Sequence, residues 1–271
     1  MIKGLRTAFV MVAMLCLCLS ANAQEYQPSV GQEGKDVIWV PTPDTLIEAM
    51  LNAAKVTPND YVMDLGSGDG RIVIAAAKRG ARATGFEYNP DMVELSKRNA
   101  EKAGVSDKAT FVKADIFETD FSQATVITMY LLPQLNLKLR PTILNLKPGI
   151  RVVSHAFTMG EWNADETIEQ EGRTAYLWVV PAKADGTWTW QANPGVAELK
   201  LTQVFQDITG TLKLNGSELT IREGKLEGDK IRFIGGDREF TGRVNGKTIE
   251  GIARINGSEE KWSAALAQTN P

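Results

Sequence analysis

Two cysteines occur in 271 residues, Cys16 and Cys18, and both lie in the first twenty. Beyond them the chain has no thiol to act as nucleophile, disulfide partner or metal ligand. A single histidine, His155, argues equally against a histidine-rich metal site. Basic residues are not in excess: 30 Lys and Arg stand against 33 Asp and Glu, for a formal charge of −3. Without a basic run, the composition argues against nucleic acid as a partner. Long apolar stretches are absent too, apart from one near the start. There Lys3 and Arg6 precede an apolar run from Thr7 to Leu19, and Ser20-Ala-Asn-Ala23 ends in the small-x-small pattern of a signal-peptidase site. The run is too short for a stable membrane anchor, and both cysteines follow leucine, which excludes a lipoprotein signal. We expect residues 1–23 to be a cleaved signal peptide. That leaves Gln24 first, two fewer positive charges, no cysteine and no membrane span in an exported protein, periplasmic or secreted.

Residues 24–36 are polar, with Pro, Gly and Gln, and read as a flexible lead-in. The organising stretch is Val62-Met-Asp-Leu-Gly-Ser-Gly-Asp-Gly70. A short apolar run, Tyr61 to Leu65, reads as a buried strand; Gly66, Gly68 and Gly70 follow, and Arg71 to Arg79 reads as a helix. Strand, glycine turn and helix form the nucleotide-binding entry of a parallel α/β sheet. A dinucleotide site wants G-x-G-x-x-G, with a diphosphate on the helix-start amides. Here the spacing is G-x-G-x-G, two residues after the carboxylate of Asp64. An acid at that strand end suits a cationic ligand better than a diphosphate. Such a ligand is S-adenosylmethionine, which carries a sulfonium and an ammonium group and no phosphate.

Two further acids end the next strands. Arg82 to Glu87 places a carboxylate where both ribose hydroxyls can be held. Phe111 to Ile116 brings Asp115 to a position that can take the adenine amino group. Ser67, Asn89 and Ile116 complete the expected cofactor contacts. Thr42 precedes Pro43 and a helical stripe at 46, 47, 50 and 51; it reads either as an N-cap or as a further cofactor contact.

Strands and helices continue to alternate. Pro90 to Ala103 reads as a helix, Ala124 to Tyr130 as a strand buried on both faces, Gln134 to about Leu146 as a helix, and Ile150 to His155 as a strand. Thr167 to Glu171 and Ala175 to Val180 read as a closing hairpin. The fold class is therefore α/β: a doubly wound, mostly parallel, seven-stranded Rossmann-like sheet over residues 37–186. From about Trp188 the texture changes. Asn215-Gly216, Asn245-Gly246 and Asn256-Gly257 sit between short alternating strands, the hairpin signature. Residues 190–269 read as a small all-β antiparallel, barrel-like domain that binds a partner or stabilises its neighbour.

Three acids at successive strand ends, with the glycine turn, resemble the class I S-adenosylmethionine-dependent methyltransferases. Val40-Pro41-Thr42, Asp64 to Val73, Glu87-Tyr-Asn89-Pro90, Leu131-Leu-Pro133 and Arg151-Val-Val-Ser-His155 resemble, more narrowly, a lysine-methylating group. Its members act on the ATP synthase c-subunit and the adenine nucleotide translocase, and it has prokaryotic relatives. The resemblance covers about residues 37–162. It implies S-adenosyl-L-methionine as cofactor and N-methylation of a lysine or other amine on a protein acceptor; the scarcity of cysteine and histidine separately leads us to expect no metal. Alternatives are a small-molecule methyltransferase, or a binding protein without turnover. The reacting centre is expected beyond the carboxyl end of the fourth strand, beside Tyr130. Tyr130 either lines the acceptor channel or packs; His155 either accepts a proton or holds the backbone. Glu161-Trp162 either shapes the channel or anchors a surface loop.

Overall fold

The computed structural model describes residues 26–267; the expected signal peptide lies outside them. Helix α1 (Asp44–Ala53) leads into a sheet built from β1 (Tyr61–Leu65), β2 (Arg82–Glu87), β3 (Ala109–Lys113), β4 (Val126–Met129), β5 (Arg151–His155), β6 (Glu166–Gln170) and β7 (Arg173–Val179). Its strand order is β3-β2-β1-β4-β5-β7-β6, with β7 antiparallel to both neighbours. Helices α2 (Arg71–Lys78), α3 (Pro90–Lys102) and α4 (Pro133–Ile143) supply the crossovers. The order reverses between β1 and β4, so a crevice opens at their carboxyl ends. The short strands β1, β4 and β5 are buried almost throughout, as a sheet covered on both faces requires. One apolar cluster lies under α1, α2 and α3; a second, centred on Ile127, Met129, Trp162 and Trp178, fills the opposite face.

The described part of the lead-in expected to be flexible, residues 26–36, is folded. Gly31 N donates to Trp39 O and Trp39 N to Gln32 O, both under 3 Å, and Glu33 bridges Ile38. This hairpin lies across the crevice. Asp115, expected at the end of a strand, stands two residues beyond β3.

The chain then builds a closed barrel of eight antiparallel strands: β8 (Gly186–Gln191), β9 (Val196–Val204), β10 (Asp207–Leu214), β11 (Ser217–Glu227), β12 (Lys230–Gly235), β13 (Arg238–Asn245), β14 (Thr248–Ile255) and β15 (Ser258–Leu266). β15 pairs with β8, which closes the ring and removes open edges. β8 begins at Gly186, ahead of the expected boundary at 190. Alternation puts Trp188, Leu199, Leu212, Phe233, Phe240 and Trp262 inside. Asn215-Gly216 and Asn256-Gly257 both have positive φ at each position, the primed turn their sequence demands. At the third pair the turn is shifted by one: Asn245 still pairs with Thr248, and Gly246 leads the two-residue loop. Among the described residues, no helix is long and apolar enough to cross a membrane.

Candidate active site

The crevice at the carboxyl ends of β1 and β4 is a cavity of about 660 Å³, within the range of small-molecule sites. Its floor is the glycine turn. Gly66 N and Ser67 N both donate to Phe86 O, at 2.9 and 3.0 Å, while Gly70 N donates to Ser67 O. Gly68 N donates to Glu87 Oε2 at 2.9 Å. These amides turn inward to the protein, so the turn offers no ring of free N–H groups for a diphosphate. From α3, Ser96 Oγ donates to Gly68 O and Asn99 Nδ2 to Asp69 O. The turn is thus held from both sides.

Asp64 points into this floor with 2% of its surface exposed. Thr128 Oγ1 donates to its Oδ1 at 2.6 Å. Burial pushes its carboxyl up to about 7; the Thr128 bond opposes the rise, and the charges of Glu87 and Asp69 add to it. Among the described residues no basic side chain neutralises it, so a cationic ligand would supply the missing charge. Glu87 uses Oε1 to accept from Asn89 N and Oε2 from Gly68 N, leaving lone pairs for two hydroxyls. Asn89 lines the cavity and caps α3 by accepting from Asp91 N. Ser67 lines the wall, but its Oγ is turned away from the cavity and buried against Gly85 of β2, without a hydrogen-bond partner.

The remaining expected contacts divide. Gly66, Gly68 and Ile116 line the cavity. Gly70 does not: a Cβ there would meet the Phe111 ring at 2.7 Å, so its service is helix-to-sheet packing at a φ of +84°. Asp115 reaches the wall, but its Oδ1 accepts from Phe117 N and its Oδ2 pairs with Lys35 of the hairpin. Lys35 also lies over the Tyr88 ring at 4.8 Å. Thr42 lines the cavity but is no N-cap; Pro43 precedes the helix, and no side chain caps it. The Thr42 hydroxyl instead sits 3.0 Å from His155 Nδ1, and its carbonyl accepts from Arg71.

At the far end, Tyr130 forms the wall with Leu131, Leu135 and Phe157. Its ring lies 3.8 Å from His155 between centroids, tilted by 33°, and approaches Phe157 at 6.2 Å. His155 does not line the cavity; it stands behind Tyr130, 2% exposed. Burial, with the Arg173 charge, lowers its pKa to about 4, so it is neutral at pH 7. Sequence reasoning missed the hairpin. Trp39 lies so close over the glycine turn that a Cβ at Gly68 would fall 2.8 Å from its Nε1. The apolar run Val37-Ile-Trp-Val after two glycines was the available signal. Phe157 and Leu135 carry no motif and become visible only through the fold. Among the described residues, no cluster of acids and His could hold a metal ion.

Residues 64–166 match the ANTKMT methyltransferase domain. A protein-lysine N-methyltransferase from Saccharolobus islandicus is 46% identical over 151 residues, covering 53% of this chain and 94% of that protein. The chain belongs to this methyltransferase family. A solved RNA methyltransferase from Salinibacter ruber, in complex with S-adenosyl-L-homocysteine, has 50% identity and a TM-score of 0.52. The match covers 54% of this chain and 96% of that one. The ATP synthase c-subunit lysine N-methyltransferase of Mus musculus is 37% identical; the match covers 45% of this chain and half of the mouse protein. The methyltransferase uses S-adenosylmethionine, and its floor fits that molecule: one buried uncompensated carboxylate, a second acid for hydroxyls, and amides closed to phosphate.

Proposed function

We propose that this methyltransferase N-methylates a lysine side chain on a protein. The observation that carries this reading is the wall beyond β4, where Tyr130, Leu131, Leu135 and Phe157 meet with a neutral His155 behind them. A lysine ammonium has no lone pair and an ordinary pKa of about 10.4. An apolar, aromatic approach favours its neutral form by desolvation and leaves its aliphatic stem against rings. Bound in the cavity, S-adenosylmethionine supplies an electrophilic methyl group. Asp64 holds positive charge, Glu87 takes hydroxyls, and Tyr130 orients the entering amine. Most of the acceleration then comes from placement, since in-line transfer needs alignment more than acid–base help. The names of the Saccharolobus and mouse relatives favour a protein lysine over the RNA named for the Salinibacter enzyme. So does the absence of a basic run.

Radiolabelled S-adenosylmethionine incubated with an envelope protein extract, followed by mass spectrometry, tests this. We expect label on lysine; label confined to low-mass compounds or to RNA overturns it. We further propose that residues 1–23 direct export. Fractionation with N-terminal sequencing should return a mature chain beginning at Gln24, and an uncleaved cytoplasmic protein would refute it. Export requires a supply of cofactor outside the cytoplasm.

A further inference from the structure

The barrel's turn between β9 and β10 is two residues, Phe205 and Gln206, and it is not free. Phe205 takes a φ of +55°, a conformation bulky side chains rarely adopt. Its ring stacks on Trp162 at 6.1 Å with planes 16° apart, and the Arg140 guanidinium lies over it at 5.5 Å. Gln206 is 1% exposed and donates from Nε2 to Asn163 O at 2.8 Å. Behind them, Gln203 donates to Phe205 O and to Ala182 O, tying the turn to the connection between the domains.

Apart from Arg140, Phe205 and Gln206 meet the sheet domain at one segment, 156–165, the loop that leaves β5 after His155. Met159 and Trp162 form one isolated antiparallel bridge, and five carbonyls of the segment accept from side chains. Asn136 donates to Phe157 O and Thr158 O, Arg140 to Met159 O, Trp178 to Trp162 O, and Gln206 to Asn163 O. Phe157, at the head of the loop, is cavity wall beside Tyr130. Two helix residues, one sheet residue and one barrel residue therefore set its path. A strained bulky residue at a domain contact is the kind of cost a structure keeps for a purpose.

We infer that the barrel is a brace for the acceptor side of the site, with Phe205 and Gln206 as its positioning residues. The Phe205 ring fills the space between Trp162 and Arg140, fixing the guanidinium that holds Met159. Gln206 fixes Asn163. Together they hold Phe157 against the channel that receives the acceptor, while the cofactor floor at the glycine turn stays outside their reach. The inference rests on the lysine reading only for what enters the channel.

The full-length protein carrying Phe205→Ala or Gln206→Met provides the test, with S-adenosylmethionine affinity by calorimetry, methyl transfer to poly-L-lysine, and hydrogen exchange of segment 156–165. Both variants should exchange that segment at least fivefold faster and raise KM for poly-L-lysine five- to twentyfold. Cofactor affinity should stay within twofold, and Phe205→Tyr should restore the wild-type values. Unchanged exchange, or cofactor affinity lost in step with acceptor KM, overturns the brace. If wild-type protein labels lysine neither in poly-L-lysine nor in the envelope extract, the lysine reading fails, and exchange against cofactor affinity still decides the brace.

Discussion

The sheet domain and the barrel treat charge in opposite ways. On the barrel, Lys225 pairs with Asp207, Arg243 with Asp229 and Arg254 with Glu259, all at the surface. Its interior is rings: Phe233 lies flat on Phe240 at 4.7 Å, and Trp262 meets both edge-on. The sheet domain instead buries Asp64 with a hydroxyl for company and no counter-charge among the described residues. One region has its electrostatics completed within the chain, and the other leaves them open for a visitor. The sheet domain surrenders stability at the place where it binds, and the barrel's core surrenders none.

The largest effect should come from removing the open charge. Asp64→Asn should weaken S-adenosylmethionine binding at least a hundredfold by calorimetry. It should also raise the stability of the ligand-free protein at pH 8 by about 1–3 kcal/mol, since a carboxyl raised in the fold costs stability above its unfolded pKa. Loss of stability together with loss of binding would erase the contrast. Phe240→Ala should do the reverse, costing about 3–5 kcal/mol in denaturant unfolding while the folded fraction keeps its cofactor affinity. Next in size is a pH effect. With Asp64 near 7 when free and lowered by a cationic ligand, affinity should tighten by up to about tenfold per pH unit between 5.5 and 7, then level off. A flat profile would mean that Asp64 is already ionised. His155 works on stability with the opposite sign: its lowered pKa makes the fold lose stability as pH drops from 6.5 towards 4. Lys35→Ala breaks the exposed pair between hairpin and rim and should speed cofactor release about two- to fivefold, less at high salt.

The parts legible in the sequence were those whose cause is local. Glycines that a ligand or helix must approach, acids at strand ends and Asn-Gly turns carry their reason within a few residues. The hairpin over the crevice was not legible, because residues 24–36 have loop composition and the order of the described ones comes from Trp39 and Lys35 meeting distant residues of the rim. Of the two readings of Thr42, the cap fails for the same reason: Thr-Pro before an apolar stripe is cap chemistry, yet the partner of its hydroxyl lies 113 residues away. Asp115 lines the cavity, but its pairing with Lys35 depended on the unread hairpin.

The inward-facing amides of the glycine turn carry one more consequence. ATP, NAD and their relatives are abundant wherever cells burn fuel, and many adenosine pockets must contend with them. Here their phosphates would meet donors already engaged and a carboxylate that repels them. Inhibitors drawn from nucleotide-mimic collections should therefore fail against this protein, while neutral or cationic adenosine thioethers and amines should succeed.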